Sequence, residues 1–397
     1  MSLLALTAHK VLTPLETIEN GVVLIEDRAI LAVGSRNEVS VPSSARVVDV
    51  GQRFLAPGFV DVHIHGGAGH DVMEATPDAL DAVAHSLLQH GTISFVPTTM
   101  SAPADTLRQS LQDLGATLAS WNERDRKPRA EPLGIHLEGP FLSPACRGAH
   151  PREHLQKPSV ELFERLIEAA GGWARILTLA PELEGAAELQ ACAMGKGVRV
   201  AIGHSNATYE EAARAIAAGA AHAVHVFNSM RPFAHRDPGI VGAVLTDDRI
   251  LAEVIADGVH VDPAALRLLV RAKGAVTTVL VTDAVSATGM QPGRYVLGGT
   301  EIFVGDDPRT GLPACRNREG ALAGSVLTQD RAVRNMMTMA GVSLQDAIRM
   351  ASYNPARLLG LEQRKGWLRT GADADLVVLE PDGRVVGAIA RGQPNFG

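Results

Sequence analysis

Cysteine is scarce in this chain of 397 residues: Cys146, Cys192 and Cys315 are odd in number and far apart. That usage argues against a disulfide framework or a thiolate zinc site, and it fits a reducing, cytoplasmic setting with free thiols. Long apolar runs are missing as well. The stretch from Ala215 to Phe227 is short and broken by histidine, and the amino terminus lacks the basic and hydrophobic regions of a secretory leader, so no membrane partner is expected. Positive charge is in deficit. Lys and Arg number 37 against 44 Asp and Glu, a net charge of −7 with no basic stretch, which argues against nucleic acid as a partner. A dinucleotide fingerprint is also absent, because Gly66-Gly67-Ala68-Gly69 has the wrong spacing and runs into an acidic segment rather than a helix start.

What is present is material for a large core: 46% of residues are hydrophobic and 20% charged, at a length that exceeds one ordinary domain. Short strand-like runs occupy Ala5 to Val11, Gly21 to Glu26, Ala29 to Val33 and Ala45 to Asp49, and the pattern returns at Leu376 to Leu379 and Val385 to Arg391. These ends predict a small β unit shared by both termini, residues 1–55 and 360–397. Between them, over 56–359, strands alternate with helices. Strand candidates are Phe59 to His65, Ile93 to Thr98, Leu133 to Glu138, Ile176 to Leu179, Val198 to Ile202, Ala223 to Phe227, Ile250 to Ile255 and Val276 to Thr282. About eight parallel strands close a TIM-type (β/α)8 barrel. Helices are expected over Pro77 to His90, Ala104 to Arg124, Ser159 to Ala170, Leu183 to Lys196, Thr208 to Ala218, Asp262 to Ala272, Leu327 to Ala340 and Leu344 to Ala351, with a Gly-rich insertion at Gly289 to Gly324. A doubly wound sheet has the same α/β alternation. The barrel is preferred because His63, His65, Glu138, His204, His225 and Asp283 all fall at or just past strand carboxyl ends, where barrels keep their chemistry.

The residue types at those ends suit a divalent cation. His63 and His65 share one face of a strand, since side chains alternate, and can grip one ion together, the reading that the apolar residues in the opposite phase favour; packed or surface histidines are the alternative. Glu138 ends a buried strand before Gly139-Pro140, and a carboxylate there needs a counter-charge, from a metal or an arginine. With His204 and His225 it makes a two-nitrogen, one-oxygen set that leaves a coordination position open. His136 reads as inward packing, and His222 as facing away from His225. Asp283 ends the last strand, placed to take a proton from an activated water and return it to a leaving group; capping a loop is the alternative. Thr208-x-x-Glu211 reads as a helix capping box. The expected ion is zinc, with iron as the alternative.

Seven motifs, Pro57-Gly58-Phe59-Val60-Asp61, Leu137-Glu138-Gly139-Pro140-Phe141, Gly203-His204-Ser205-Asn206-Ala207, Phe227-Asn228-Ser229-Met230, His235-Arg236-Asp237-Pro238-Gly239, Ala256-Asp257-Gly258-Val259-His260 and Val281-Thr282-Asp283-Ala284, occur in one order along the chain. In these the sequence resembles the N-acetylglucosamine-6-phosphate deacetylase family of the amidohydrolase superfamily. The resemblance implies a metal-bearing (β/α)8 barrel, a small β-sandwich from both chain ends and a homodimer. It implies Glu138, His204 and His225 as ligands of the principal metal and Asp283 as general acid/base. It implies that His150 contacts the sugar and polarises the acetyl carbonyl, that Asn228 and Ser229 meet the phosphate, and that Arg236 and His260 hold the sugar phosphate. Members differ at the first strand, and His63 and His65 match the version able to hold a second ion, giving one or two ions per subunit.

The expected reaction is hydrolysis of N-acetyl-D-glucosamine 6-phosphate to acetate and D-glucosamine 6-phosphate. The planar guanidinium of Arg236 suits a phosphate. Other readings are a related amidohydrolase acting on N-acetylgalactosamine 6-phosphate, an N-acyl amino acid or a cyclic amide, and a non-catalytic sugar-phosphate sensor.

Overall fold

Runs of β-branched and aliphatic residues form the barrel staves, as seen in a computed structural model whose described residues are 3–123 and 127–395. Eight parallel strands follow one another in sequence order: Phe59–Ile64, Thr92–Thr99, Ile135–Glu138, Ala174–Leu179, Arg199–Ile202, His222–Ala223, Leu251–Ile255 and Thr278–Val281. The last meets the first through the Asp283 N–H on the His63 carbonyl, 2.9 Å, and a parallel bridge between Ile64 and Ala284. The fold is the expected α/β barrel. Val62 and Ile64 are fully buried in apolar clusters while His63 and His65 join the polar site, so the two-residue alternation holds along the first strand.

Several of the helices begin where short polar side chains cap them. The Thr208 hydroxyl accepts from the Glu211 N–H and the Glu211 carboxylate accepts from the Thr208 N–H, the expected capping box for Tyr209–Ala217. Asp262 caps Pro263–Thr277, accepting from the Ala264 N–H at 2.8 Å. Two helices were not expected from the sequence. Gly239–Thr246 is apolar on every side and buried, so it shows no amphipathic period, and Tyr353–Leu358 carries a proline inside six residues. The expected helix over Ala104 to Arg124 ends at Ala119, with a 3-10 turn at Trp121–Glu123, and its last residue, Arg124, lies outside the described residues.

One strand is a correction. Ala223 to Phe227 is not a strand: pairing stops after Ala223, and the chain turns with left-handed backbone at His225 and Phe227. The insertion is a three-stranded antiparallel sheet, Gly293–Leu297, Thr300–Asp306 and Pro313–Asn317.

The terminal strands pack as two sheets. One holds Ala29–Ser35, Gly21–Glu26, Leu3–Thr7 and Arg46–Asp49; the other pairs Phe54–Pro57 with Leu376–Leu379 on one side and Lys10–Leu12 on the other. The expected run from Ala5 to Val11 is therefore two strands, one in each sheet. Leu6, Val23, Ile25, Leu55, Leu376 and Ile389 fill the space between them.

Candidate metal centre and active site

The polar ends of the strands converge on Glu138. Its Oε1 lies 3.1 Å from His204 Nε2 and 3.1 Å from His225 Nε2, and those two nitrogens are 3.1 Å apart. Donor atoms held tetrahedrally at about 2.0–2.1 Å from one zinc ion stand about 3.3 Å from each other, so this triangle has the size of one face of a coordination shell. On its other side Glu138 meets the first strand: Oε1 is 3.3 Å from His63 Nε2 and Oε2 is 3.3 Å from His65 Nε2. His65 Nε2 is also 3.2 Å from Asp283 Oδ1.

The tautomers sort these imidazoles by role. His65 Nδ1 faces the Thr98 carbonyl at 3.0 Å and His204 Nδ1 the Cys146 carbonyl at 3.0 Å. A carbonyl only accepts, so each Nδ1 carries the proton and leaves Nε2 able to ligate. His150 is the reverse. Its Nδ1 accepts from the Ser101 backbone N–H at 3.1 Å, so in the neutral ring Nε2 is a donor, and it lies 3.2 Å from Glu138 Oε2. Burial lowers the His150 pKa to about 4, which keeps the ring neutral.

The donor set fits a divalent cation. His63 Nε2 is buried beside Glu138 with no hydrogen-bond partner, a lone pair left for an ion. Burial opposes charge on Glu138, yet His63 and His204 hold its carboxyl well below the ordinary range. Burial likewise disfavours charge on His65, but Asp283 and Glu138 push it up to about 9, so the site calls for positive charge. For Asp283, the hydrogen bond from His65 and the charge of His63 outweigh burial and keep the carboxyl low. A separate cluster made only of carboxylates, Glu131, Asp373 and Asp375, has similar spacing but already holds the Lys365 ammonium at 2.5–2.8 Å.

Three of the converging residues, His204, His225 and Asp283, have left-handed backbone with φ of 46°, 27° and 50°. Such strain in non-glycine residues gathers at sites that must aim side chains off a strand end. Gly148 is left-handed too, and a Cβ there would stand 2.6 Å from Ser229 Oγ and 3.1 Å from His204 Cε1.

A cavity of about 380 Å³ opens at these groups, lined by His65, Glu138, His150, His204, His225 and Asp283 together with Asn228, Ser229 and His260. The inserted sheet and the loop after it supply Leu297, Arg316, Ala321 and Leu322. His260 is almost wholly buried, its Nδ1 2.7 Å from Asp257 Oδ2; burial works against its charge but Asp257 raises its pKa above the ordinary value. Arg236 is placed elsewhere: it is exposed on the loop before Gly239–Thr246 and does not line the cavity of its own chain.

The sequence reading missed Glu253, which lies 3.1 Å from His63 Nδ1 and 3.0 Å from His222 Nε2. Its signal was a single acid inside the apolar run Ile250 to Ile255. His222 is corrected too: it lies inside the barrel against Glu253, because the strand ends at Ala223 and the turn, not the strand's alternation, aims His225. His136 is the inward packing residue expected, its Nε2 2.7 Å from Thr178 Oγ1. Nothing in the sequence marked Ser101 or Arg316.

Among the described residues no helix is long and apolar enough to cross a membrane. Comparison with known proteins places this geometry. The amidohydrolase family matches residues 54–394. The chain is 38% identical over 386 residues to N-acetylglucosamine-6-phosphate deacetylase of Bacillus subtilis, covering 97% of this chain and 95% of the relative. It is 39% identical over 376 residues to N-acetylgalactosamine-6-phosphate deacetylase of Escherichia coli, covering 94% of each. Among solved structures, a mutant N-acetyl-D-glucosamine-6-phosphate deacetylase from Mycobacterium smegmatis in complex with N-acetyl-D-glucosamine-6-phosphate superposes with a TM-score of 0.90 at 35% identity, covering 99% of each chain. On sequence, fold and the arrangement of its polar strand ends together, the chain belongs to the amidohydrolase family.

Proposed function

We propose that this protein hydrolyses the acetamide of N-acetyl-D-glucosamine 6-phosphate to acetate and D-glucosamine 6-phosphate. The convergence of His204, His225, His63 and His65 on Glu138, with Asp283 beside them in one cavity, carries the reading. The similar B. subtilis deacetylase and the M. smegmatis complex support the substrate. Glu138, His204 and His225 would hold one divalent ion, and His63 and His65 a second that shares Glu138. Zinc is the ion we propose, with iron as the alternative. Such an ion supplies Lewis acidity and draws the pKa of water toward neutrality.

The remaining work falls to side chains. Asp283 takes the proton of the attacking water as the new carbon–oxygen bond forms at the acetyl carbon. His150 donates its Nε2–H to the acetyl oxygen, where negative charge develops. Asp283 then hands the proton to the amine nitrogen as the carbon–nitrogen bond breaks, so one water is consumed and acetate leaves. Asn228, Ser229 and His260 hold the phosphate end, turning binding of a remote group into alignment of the amide. Arg236 lies outside its own cavity, so as a phosphate ligand it would act from the second copy of a homodimer. On this reading the protein works in the cytoplasm, with residues 1–55 and 360–397 forming the small sandwich and 56–359 the catalytic barrel.

Acetate release by metal-stripped protein resupplied with single ions, alongside elemental analysis, tests the reading. No acetate from the phosphorylated sugar with any ion would reject it. The E. coli relative gives the galactosamine epimer a specific claim, and comparing the two epimers decides between them.

A further inference from the structure

We propose that Glu253 is a positioning residue that fixes the ring of His63 and so decides whether a second divalent cation binds between His63, His65 and Glu138. The inference rests on the metal-dependent reading above and deepens it. Glu253 rises from the strand Leu251–Ile255 into the barrel interior and is fully buried. Its Oε2 accepts from His63 Nδ1 at 3.1 Å. A carboxylate accepts and does not donate, so the His63 proton stays on Nδ1 and Nε2 turns its lone pair toward Glu138, 3.3 Å away. The other oxygen, Oε1, lies 3.0 Å from His222 Nε2 without the alignment of a hydrogen bond, so the carboxylate stands between two imidazoles and bonds to that of His63. His136 stands edge-on to the His63 ring at a centroid distance of 4.8 Å and limits its rotation.

The contrast with the other ligand histidines gives the arrangement its meaning. His65 and His204 are oriented by the backbone carbonyls of Thr98 and Cys146, which no substitution removes. His63 takes its orientation from a side chain. A carboxylate partner also makes an imidazole a stronger ligand than a carbonyl partner does. The first-strand histidines are thus necessary for a second ion but not sufficient, and one residue on a distant strand sets its affinity.

The test titrates the full-length, metal-stripped protein with Zn2+ and counts ions per subunit by elemental analysis; Co2+ and its visible absorption follow the two binding steps separately. The unmodified protein is expected to bind two ions. Glu253→Gln should leave the first ion's affinity unchanged and weaken the second by about 10- to 100-fold. In a His63→Gln background, Glu253→Gln should cause no further loss. Equal affinities before and after Glu253→Gln, parallel weakening of both ions, or a single ion in the unmodified protein would each overturn the proposal. If Glu253→Gln does not fold, His222→Asn removes the imidazole packed against Glu253 while keeping the carboxylate and should weaken the second ion selectively; an unchanged second ion there counts equally against it. Failure of the functional reading looks different: two ions that depend on Glu253 with no acetate release would leave this inference standing and remove that one.

Discussion

Replacing Asp283 with asparagine isolates the proton-transfer step. The side chain ends the last strand with Oδ1 3.2 Å from His65 Nε2, and its backbone sits at φ 50°, a conformation asparagine tolerates. The amide matches the carboxylate in shape and keeps an acceptor oxygen for His65, so fold, ion count and substrate affinity should all persist. What disappears is a group that can take up a proton and give it back. General acid/base catalysis is worth about 100- to 10,000-fold, which is about 3–5 kcal/mol of barrier. The effect should fall on kcat, with KM within a few-fold, when acetate release is followed for protein matched in metal content. Turnover within about tenfold of the unmodified protein would refute the proton-transfer role. Loss of an ion together with turnover would instead make Asp283 a ligand.

Three further outcomes follow from the geometry. His260, raised above its ordinary value of 6.5 by Asp257 against burial, is cationic below that raised pKa and neutral above it; phosphate affinity and the pair's contribution to stability are both fully present below 6.5 and are lost as pH rises through the raised pKa. KM for the phosphorylated sugar should therefore climb with pH, and Asp257→Asn should move the climb to lower pH; a profile that matches the unphosphorylated sugar's rejects the phosphate role. Gly148→Ala places a Cβ against Ser229 and His204 at φ +56°, so it should cost about 1–2 kcal/mol in chemical denaturation and also raise KM and weaken metal binding; unchanged kinetics would confine the effect to the backbone. Lys365→Met leaves Glu131 and Asp375 facing each other without the ammonium that sits 2.5 and 2.6 Å from them at 1% exposure, and should cost about 3–5 kcal/mol by urea unfolding; a loss below about 1 kcal/mol would mean that water reaches the acids.

Much of the centre was legible because strand alternation is strict. His63 and His65 share a face by parity alone, and Glu138 stands out as an acid closing a buried run. The same rule misled at His222, since one turn after Ala223 cancels parity, and turns with left-handed non-glycine residues leave no pattern in sequence. Glu253 was visible as an acid among aliphatics, but its partner His63 is 190 residues away, a separation that no local pattern spans. Gly239–Thr246 was invisible for the opposite reason: buried on all sides, it offers no contrast. Arg236 reads well as a phosphate ligand by chemistry, while its place relative to the cavity depends on tertiary structure alone.

The strand Phe54–Pro57 runs after one residue into the stave that bears His63, and its antiparallel neighbour is Leu376–Leu379. During synthesis that neighbour leaves the ribosome more than three hundred residues later. The edge beside the first ligand pair must therefore wait, unpaired, for nearly the whole polypeptide to emerge. Completion of the sheet beside the first stave is in this way a late event of biogenesis, and a nascent chain halted before Leu376 carries His63 and His65 with one edge of the Phe54–Pro57 strand still unpaired.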